Sequence, residues 1–202
     1  MIRKATPHDV EAIVAAIYEA GHEFLPWLFG ANHRRIIHEL AISESSSFSW
    51  TNTYIYEHHG KTAGVVICYP SKLESEMDKG THRIFRHYMG FWELFWFIRR
   101  ARKAVRYFVK PSNSYYILAL AVFTEFRGQG IAGKLLEYVA SYAHKGNYSL
   151  LALEVENNNH SAIRSYQKNG FTIAGGVPLK RFSRKLARKS KSMLLLRRQL
   201  AA

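Results

Sequence analysis

Apolar and polar positions alternate with a period that changes along the chain, and each change of period marks a predicted element. A first helix is predicted from Thr6-Pro7, a favourable helix start, to Gly21, because apolar side chains recur between them at helical spacing. The same criterion predicts a second helix over residues 33–41. Residues 2–5 are a predicted strand, and residues 53–69 are a predicted β-hairpin.

The second half of the chain alternates strands that are apolar on both faces with amphipathic helices. Strands are predicted over 114–123, 150–155, 171–174 and 193–200, and helices over 130–144 and 161–169. A strand that is apolar on both faces is covered by other elements on both sides of its sheet. The sequence therefore predicts an α/β fold for residues 1–202, a single domain in which helices flank a mixed sheet.

The stretch 71–112 interrupts this rhythm, and it contains a predicted helix over residues 91–109. Four apolar residues fall on one stripe of that helix: Phe91, Leu94, Phe95 and Ile98. A run of basic residues follows them. Two interpretations stay open at this point: the helix packs its aromatic stripe against the core, or it presents a basic amphipathic surface to a partner or a membrane.

Composition excludes several classes of protein and of site. The one cysteine, Cys68, excludes an intramolecular disulfide and cysteine-based metal or redox sites; no metal site is predicted. We expect Cys68 to be a small core residue of the hairpin. No apolar run approaches the roughly 18–20 residues of a transmembrane helix, and the N-terminus lacks the apolar core of a signal peptide. We therefore expect a cytoplasmic protein without a transmembrane segment.

The positive charge of the chain is concentrated in two segments. The formal net charge is +14, with 29 Lys and Arg against 15 Asp and Glu. Residues 71–112 hold ten Lys and Arg and four acidic residues, and residues 178–202 hold nine and none. These segments carry the whole excess, and the rest of the chain is close to neutral. Basic segments of this kind bind phosphate, nucleic acid or anionic lipid, or they solubilise a surface.

The sequence from Arg127 to Lys134, Arg-Gly-Gln-Gly-Ile-Ala-Gly-Lys, joins a buried strand to a helix. Glycines allow backbone N–H groups to converge, and the helix N-terminus adds partial positive charge. Such a turn forms a nest for an anion, and it is suited to a pyrophosphate. It is not a Walker loop, because no GxxxxGK followed by Ser or Thr is present.

Two motifs make the chain resemble the GNAT superfamily of acetyl-CoA-dependent N-acetyltransferases. Arg127-Gly-Gln-Gly130-Ile-Ala132 matches the family pattern Q/R-x-x-G-x-G/A. Asn159-His-Ser-Ala162-Ile163-Arg-Ser-Tyr166-Gln-Lys-Asn-Gly170-Phe171 matches N-x-x-A-I/V-x-x-Y-x-x-x-G-F. The resemblance covers residues 114–176 closely and residues 1–70 loosely. It implies a mostly antiparallel central sheet whose middle strands splay apart, with acetyl-CoA bound in the gap.

The resemblance also assigns cofactor contacts residue by residue. The pantetheine arm would run along the backbone of Leu120, Ala121 and Val122. The pyrophosphate would be held by the loop Arg127, Gly128, Gln129, Gly130, Ile131, Ala132, Gly133 and Lys134. Asn159 and Tyr166 would line the thioester end.

Attack of an amine on a thioester needs a base, a donor to the developing oxyanion and a donor to the leaving sulfur. The resemblance makes Tyr166 the acid, and Val122 N–H is the candidate oxyanion donor. Glu154 is the candidate base, because a carboxyl group in an apolar strand has a raised pKa. It precedes Tyr166 by twelve residues, a spacing shared with the ribosomal-protein-alanine N-acetyltransferases. A purely structural role for Glu154 stays open, and the rival bases are Glu156, His22 and Glu23.

The chain departs from the family pattern in two basic insertions, at about 71–112 and 178–192. Both would lie near the acceptor end of the cleft, so we expect an amine acceptor that carries anionic groups. Four cations of the second insertion fall at helical spacing: Arg181, Arg184, Lys185 and Arg188. The alternatives are a CoA-binding sensor without turnover, or a ribosome- or RNA-associated protein that uses the basic segments. The family pattern is also compatible with a homodimer.

Overall fold

The computed structural model of the chain describes residues 1–21, 23–107 and 110–200. Its strands are β1 (Ile2–Lys4), β2 (Thr53–His58), β3 (Lys61–Pro70), β4 (Ser114–Val122), β5 (Leu150–Glu156), β6 (Thr172–Pro178) and β7 (Ser192–Gln199). They form one sheet in the order β1-β2-β3-β4-β5-β7-β6. β4 and β5 pair in parallel, and the other neighbours pair antiparallel. The predicted mixed, mostly antiparallel sheet is confirmed.

Helices flank this sheet as predicted. They are α1 (Val10–Gly21), α2 (Phe24–Phe29), α3 (His33–Ile42), α4 (Glu74–Met77), α5 (His82–Tyr88), α6 (Phe91–Tyr107), α7 (Ile131–Lys145), α8 (His160–Lys168) and α9 (Arg184–Lys189). Helical spacing predicted α1, α3, α7 and α8, whereas α2 was not predicted. The predicted end of α6, Val109, lies outside the described residues. Over the described ranges, no helix combines the length and the apolar character needed to cross a bilayer.

Two hydrophobic cores lie on opposite faces of the sheet. On one face α7 packs on β5, with Leu136 and Leu153 fully buried. On the other face α1 and α3 pack on β3, with Ile13, Ile37 and Ile67 fully buried. The central strands are thus covered on both sides, as their two-faced apolar sequences require.

The first helix is held to the sheet edge by one carboxylate. Asp9 accepts a hydrogen bond from the Thr6 amide at 2.8 Å, and two guanidinium nitrogens of Arg3 in β1 each donate to it at 2.8 Å. The bidentate pair with Arg3 lowers the pKa of Asp9 to about 2. This contact fixes where the chain leaves β1 and enters α1.

The predicted stripe of α6 is wrong at three of its four positions. Phe91, Phe95 and Ile98 are exposed, and Leu94 alone of the four packs towards the core. The residues that α6 directs into the protein are Leu94, Phe97, Ala104 and Tyr107. These positions repeat at helical spacing too, and apolar residues on both sides of the helix made the spacing ambiguous. The interpretation that α6 buries its aromatic stripe is therefore incorrect.

The two basic insertions meet in a small core of their own, which we call the insertion core. Leu179, Phe182 and Leu186 from the second insertion are buried together. The ring of Phe182 lies 5.4 Å from Tyr107 of α6 and 5.8 Å from Trp27 of α2, both edge-on. The insertions thus pack around α2 instead of extending separately into solvent.

The predicted helical face of the second insertion begins three positions too early, at Arg181. Ser183 caps α9, its Oγ accepting from the Lys185 amide at 3.1 Å, so the helix begins at Arg184. Arg181 lies in the preceding 3-10 turn, where its guanidinium stacks 5.3 Å from the centre of the Tyr107 ring. Three of the four predicted cations, without Arg181, therefore share α9.

Candidate active site

The central strands β4 and β5 part in the middle of the sheet. Parallel pairing joins Ser114–Ile117 to Leu150–Leu153 and ends there, although the strands continue to Val122 and Glu156. The splayed middle strands implied by the resemblance are confirmed. The parted ends leave a gap with strand backbone on both sides.

The backbone of β4 presents alternate amides to this gap. Phe123, directly after β4, donates its N–H to the Ala63 carbonyl of β3 at 3.0 Å. Successive N–H groups of a strand point to opposite edges, so the amides of Val122 and Leu120 point away from β3. The Ala121 amide faces β3 by the same alternation. Of the three predicted strand positions, Leu120 and Val122 are thus the two whose amides are available in the gap.

The glycine turn after β4 has the geometry of an anion nest. Gly128 and Gly130 have φ angles of 80° and 72°, in the left-handed region that favours glycine. No atom of the described residues lies within 4 Å of where a Cβ would stand on either. The amides that follow occupy the first turn of α7, where a helix has no acceptor of its own: Ile131, Ala132 and Gly133. With the exposed Gln129, these residues fit a pyrophosphate.

The two cations that flank the turn already have partners. Arg127 donates through Nε to the Val122 carbonyl at 3.1 Å, and its guanidinium forms an ion pair with Glu19 of α1. Lys134 donates to the Tyr56 hydroxyl at 3.3 Å. Arg127 therefore ties the turn to the end of β4, and Lys134 reaches Tyr56 of β2.

Gly133 has a packing role in addition to its predicted cofactor contact. A Cβ at this position would lie 3.0 Å from Oδ1 of Asn169, which follows α8. A side chain at position 133 would therefore have to displace the Asn169 amide by a few tenths of an ångström.

Glu154 lies on β5 directly after Leu153, the last residue that pairs with β4. Its neighbours Leu153 and Val155 point into the core beneath α7, so its side chain points to the opposite face. Burial raises the pKa of Glu154 to about 7, and the positive charge of Lys110 opposes that rise. A carboxyl group with this pKa is half ionised near neutral pH and is suited to take a proton from an ammonium ion.

Side chains of β3, β4 and the first insertion form a network around Glu154. Its Oε2 accepts from the Tyr116 hydroxyl, and the ammonium group of Lys110 lies 4.1 Å from the centre of the Tyr116 ring. Lys110 is also paired with Glu74 of α4, and it donates to the Tyr69 hydroxyl at 3.0 Å. Sequence reasoning missed this network, because its members are far apart in the chain. No sequence spacing could have found it, because an irregularity at Leu118 in β4 puts Tyr116 and Leu120 on opposite faces of the sheet although they are four positions apart.

Tyr166 lies on the other face of the sheet from Glu154. It is a buried residue of α8, 5.7 Å from the ring of Phe171, and it belongs to the core that Leu120 and Val122 also touch. Burial raises the pKa of Tyr166 to about 12. The hydroxyl is therefore protonated at neutral pH and is available as a donor.

Asn159 is the N-cap of α8. Its Oδ1 accepts from the Ala162 amide and the Ser161 hydroxyl, each at 3.1 Å. The cap uses the oxygen of the side chain, so the predicted contact of Asn159 with the thioester would have to be made by Nδ2.

The rival bases fall in different surroundings. Glu156 ends β5, and its carbonyl accepts from the Asn159 amide at 3.0 Å. Glu23 precedes α2 and pairs with Lys189 of α9 at 3.4 Å. His22 lies outside the described residues.

The basic insertions border the face that carries Glu154. Arg100 of α6 donates to the carbonyl oxygens of Trp27 and Leu28 in α2, at 2.5 and 3.3 Å. The pair of Lys189 with Glu23 fastens α9 to the same region. α9 also reaches the end of β5, where Asn158 donates through Nδ2 to the Lys189 carbonyl at 2.8 Å. α2, α6 and α9 are thus fastened together beside the strand that carries Glu154, and we call them the edge of the candidate site.

Known acetyltransferases share this fold and part of this sequence. The chain is 37% identical over 59 residues to "Probable N-acetyltransferase san" of Drosophila melanogaster, a match that covers 29% of this chain and 32% of that relative. The structure superposes on an N-acetyltransferase from Staphylococcus aureus Mu50 with a TM-score of 0.68 and 23% identity, covering 98% and 99% of the two chains. It superposes on the ribosomal-protein-S18-alanine N-acetyltransferase from Escherichia coli with a TM-score of 0.57 and 15% identity, covering 100% and 94%.

The family assignment rests on a match that runs through both halves of the candidate site. The model of the acetyltransferase (GNAT) family matches residues 14–171, which include the glycine turn, Glu154 and Tyr166. That range is more than half of the chain. The parted strands and the nest agree with it, and the chain therefore belongs to the GNAT family of acetyltransferases.

Proposed function

We propose that the protein transfers an acetyl group from acetyl-CoA directly to the amine of a second substrate while both are bound. The observation that carries this proposal is the separation of β4 from β5. It puts the Val122 amide on one side of the gap and Glu154 on the other. Acetyl-CoA supplies the thioester whose carbonyl carbon the amine attacks, forming a C–N bond as the C–S bond breaks.

Glu154 acts as the base in this proposal. In its ionised form the carboxylate accepts a proton from the ammonium group of the acceptor, which frees the nitrogen lone pair. With a pKa of about 7, a substantial fraction of Glu154 is ionised at neutral pH. The carboxylate is also a stronger base than that of an ordinary glutamate, whose pKa is lower. Tyr116 holds the carboxyl group in place through the hydrogen bond to Oε2.

Val122 and Tyr166 stabilise the charges that develop during transfer. The Val122 amide donates to the carbonyl oxygen as it gains negative charge. Tyr166, with a pKa of about 12, is a weak acid compared with a thiol, whose ordinary pKa is about 8.5. It therefore donates a hydrogen bond to the departing sulfur, and the thiolate takes up the second proton that the acceptor nitrogen loses as the amide forms.

Direct transfer is also supported by the state of the chain's one cysteine. Cys68 is 1% exposed inside β3, and burial raises the pKa of its thiol to about 12. The thiolate is the nucleophilic form of cysteine, so this residue is unsuited to carry the acetyl group. The test is steady-state kinetics over a panel of amines, with release of free CoA thiol as the signal. Intersecting double-reciprocal plots fit a ternary complex; parallel plots contradict it, and no release with any amine favours a CoA-binding sensor.

Replacement of Tyr166 by Phe tests its role as the donor to sulfur. We expect acetyl-CoA affinity to be retained and kcat to fall by about 10²-fold, the lower end for a lost proton donor. The loss should shrink with a thioester whose thiol is more acidic, because that leaving group needs less assistance. A matched control is Tyr142→Phe, an exposed tyrosine of α7. Unchanged kcat in Tyr166→Phe would make the residue a packing aromatic.

The acceptor is proposed to carry anionic groups beside its amine, because α6 and α9 add cations along one edge of the site. Exchanging the exposed cations of α9 for glutamine tests this: Arg184, Lys185 and Arg188. We expect kcat/KM for the best acceptor to fall at low salt, and the difference from wild type to narrow as salt screens the field. An effect confined to the KM for acetyl-CoA would place these cations at the cofactor instead.

A further inference from the structure

The N-terminal half of α6 exposes an aromatic patch that the acetyl-transfer site does not use. Its members are Phe91, Trp92, Phe95 and Trp96, of which Trp92 is 70% and Trp96 51% exposed. Consecutive rings contact one another edge-on, with centres 5.3, 6.3 and 5.5 Å apart along the row. Proteins rarely expose so large a contiguous apolar patch unless it binds something.

Cations continue the same exposed face through the next turns of α6. They are Arg99, Arg102, Lys103 and Arg106. The guanidinium of Arg99 lies 5.9 Å from the ring centre of Phe95 and 5.8 Å from that of Trp96, so charge adjoins the patch directly. The carboxylate of α6, Glu93, accepts from the Gly90 amide at the start of the helix, at 3.2 Å.

The second basic insertion extends this positive surface. Arg181 stacks on Tyr107 in the last turn of α6, and the exposed cations of α9 follow it in the chain. The occupant of the surface must therefore offer negative charge next to an apolar region. The exposed face of one helix is also convex, which suits a broad surface better than a segment inserted into a groove.

We propose that α6 docks the protein on an anionic lipid bilayer. The aromatic patch enters the boundary between headgroups and acyl chains, and the cations of α6 bind lipid phosphates. Tryptophan and phenylalanine beside Lys and Arg are the residues of helices that lie in a membrane interface. Bilayers offer both required features in one plane, since anionic headgroups attract cations and cover an apolar interior.

The experiment is sedimentation of the full chain with phosphatidylcholine vesicles, with and without phosphatidylglycerol. We expect binding to the vesicles that contain phosphatidylglycerol and much weaker binding to the others. Trp92→Ser with Trp96→Ser should lower the partition coefficient by at least about tenfold, because it removes most of the inserted area. The matched control is Ile42→Ser with Ile173→Ser, two exposed apolar residues elsewhere that are 47% and 50% exposed.

A charge variant tests the second half of the surface. Exchanging Arg99, Arg102 and Arg106 for glutamine should lower partitioning onto the anionic vesicles by roughly 10²-fold, since each cation near such a surface contributes about a factor of five. The control removes the same charge elsewhere, through glutamine at the exposed Lys61, Lys145 and Lys168. It should bind nearly as well as wild type. An unchanged thermal unfolding temperature and an unchanged acetyl-CoA affinity in the α6 variants show that these remain folded.

Three results would overturn the proposal. The first is no difference between vesicles with and without phosphatidylglycerol. The second is a homodimer in solution that the two Trp substitutions dissociate, which would make the patch an interface between copies of this chain. The third is RNA binding that the same substitutions abolish while vesicles stay unbound, which would make the surface a nucleic-acid site.

Discussion

Exchange of Glu154 for glutamine should lower kcat by about 10²–10⁴-fold and change the shape of the pH profile. In wild type the carboxylate form is the active one, so activity should rise with pH through the pKa of about 7. Glutamine cannot titrate, and the variant should keep only the rise that belongs to the acceptor amine itself. The measurement is kcat against pH with a saturating acceptor, and acetyl-CoA affinity serves as the control for folding.

Lys110 provides a second variant that separates a base from a structural carboxyl group. The ammonium group of Lys110 opposes the rise in the pKa of Glu154, so Lys110→Met should raise that pKa further. If Glu154 is the base, the ascending limb of the profile moves to higher pH while activity at high pH is retained. Two results together would show that Glu154 has only a structural role. They are an ascending limb at the same pH in Lys110→Met as in wild type, and a near-normal kcat in Glu154→Gln.

Replacing Gly130 with aspartate should lower acetyl-CoA affinity by about 10²-fold or more. A carboxylate would stand in the open space beside the nest, where its repulsion of a pyrophosphate reaches a few kcal/mol. The matched control is Gly130→Asn, because Asn and Asp both tolerate the left-handed backbone that φ 72° requires. Calorimetric titration with acetyl-CoA should then give a much smaller loss for asparagine.

The comparison of these two variants isolates charge from backbone strain. Equal losses in Gly130→Asp and Gly130→Asn would show that the turn tolerates no side chain, whatever its charge. If both variants bind acetyl-CoA as tightly as wild type, the glycine turn does not contact the cofactor.

The parts of the fold with strong local patterns could be predicted from the sequence. β4, β5, α7 and α8 follow from apolar periodicity, and the two motifs lie on them. The splay of β4 from β5 came from the resemblance, because periodicity reports which face of a strand is buried and not where pairing stops. The short α2 (Phe24–Phe29) was missed, since six residues with Pro26 among them give too little periodicity.

The surroundings of Glu154 could not be predicted for a different reason. Tyr69, Glu74, Lys110 and Tyr116 come together only after the first insertion has folded back on the sheet. Only Tyr69 and Glu74 are close in sequence, five positions apart; the other contacts join distant parts of the chain, and no spacing rule connects them. The same limit applied to α6, which has apolar residues on two sides. Which side is buried depends on the tertiary contacts of Phe97 and Tyr107, and these cannot be read from helical spacing.

The insertion core joins parts of the chain that belong to separate insertions. Phe182 packs on both Trp27 and Tyr107, so α9 cannot leave its place without also removing support from α2 and α6. Segments that share buried contacts open together, as one cooperative unit, rather than one by one. The edge of the candidate site and the exposed face of α6 are therefore subject to a single local unfolding equilibrium. A ligand that binds the folded form of either one also stabilises the other against local unfolding.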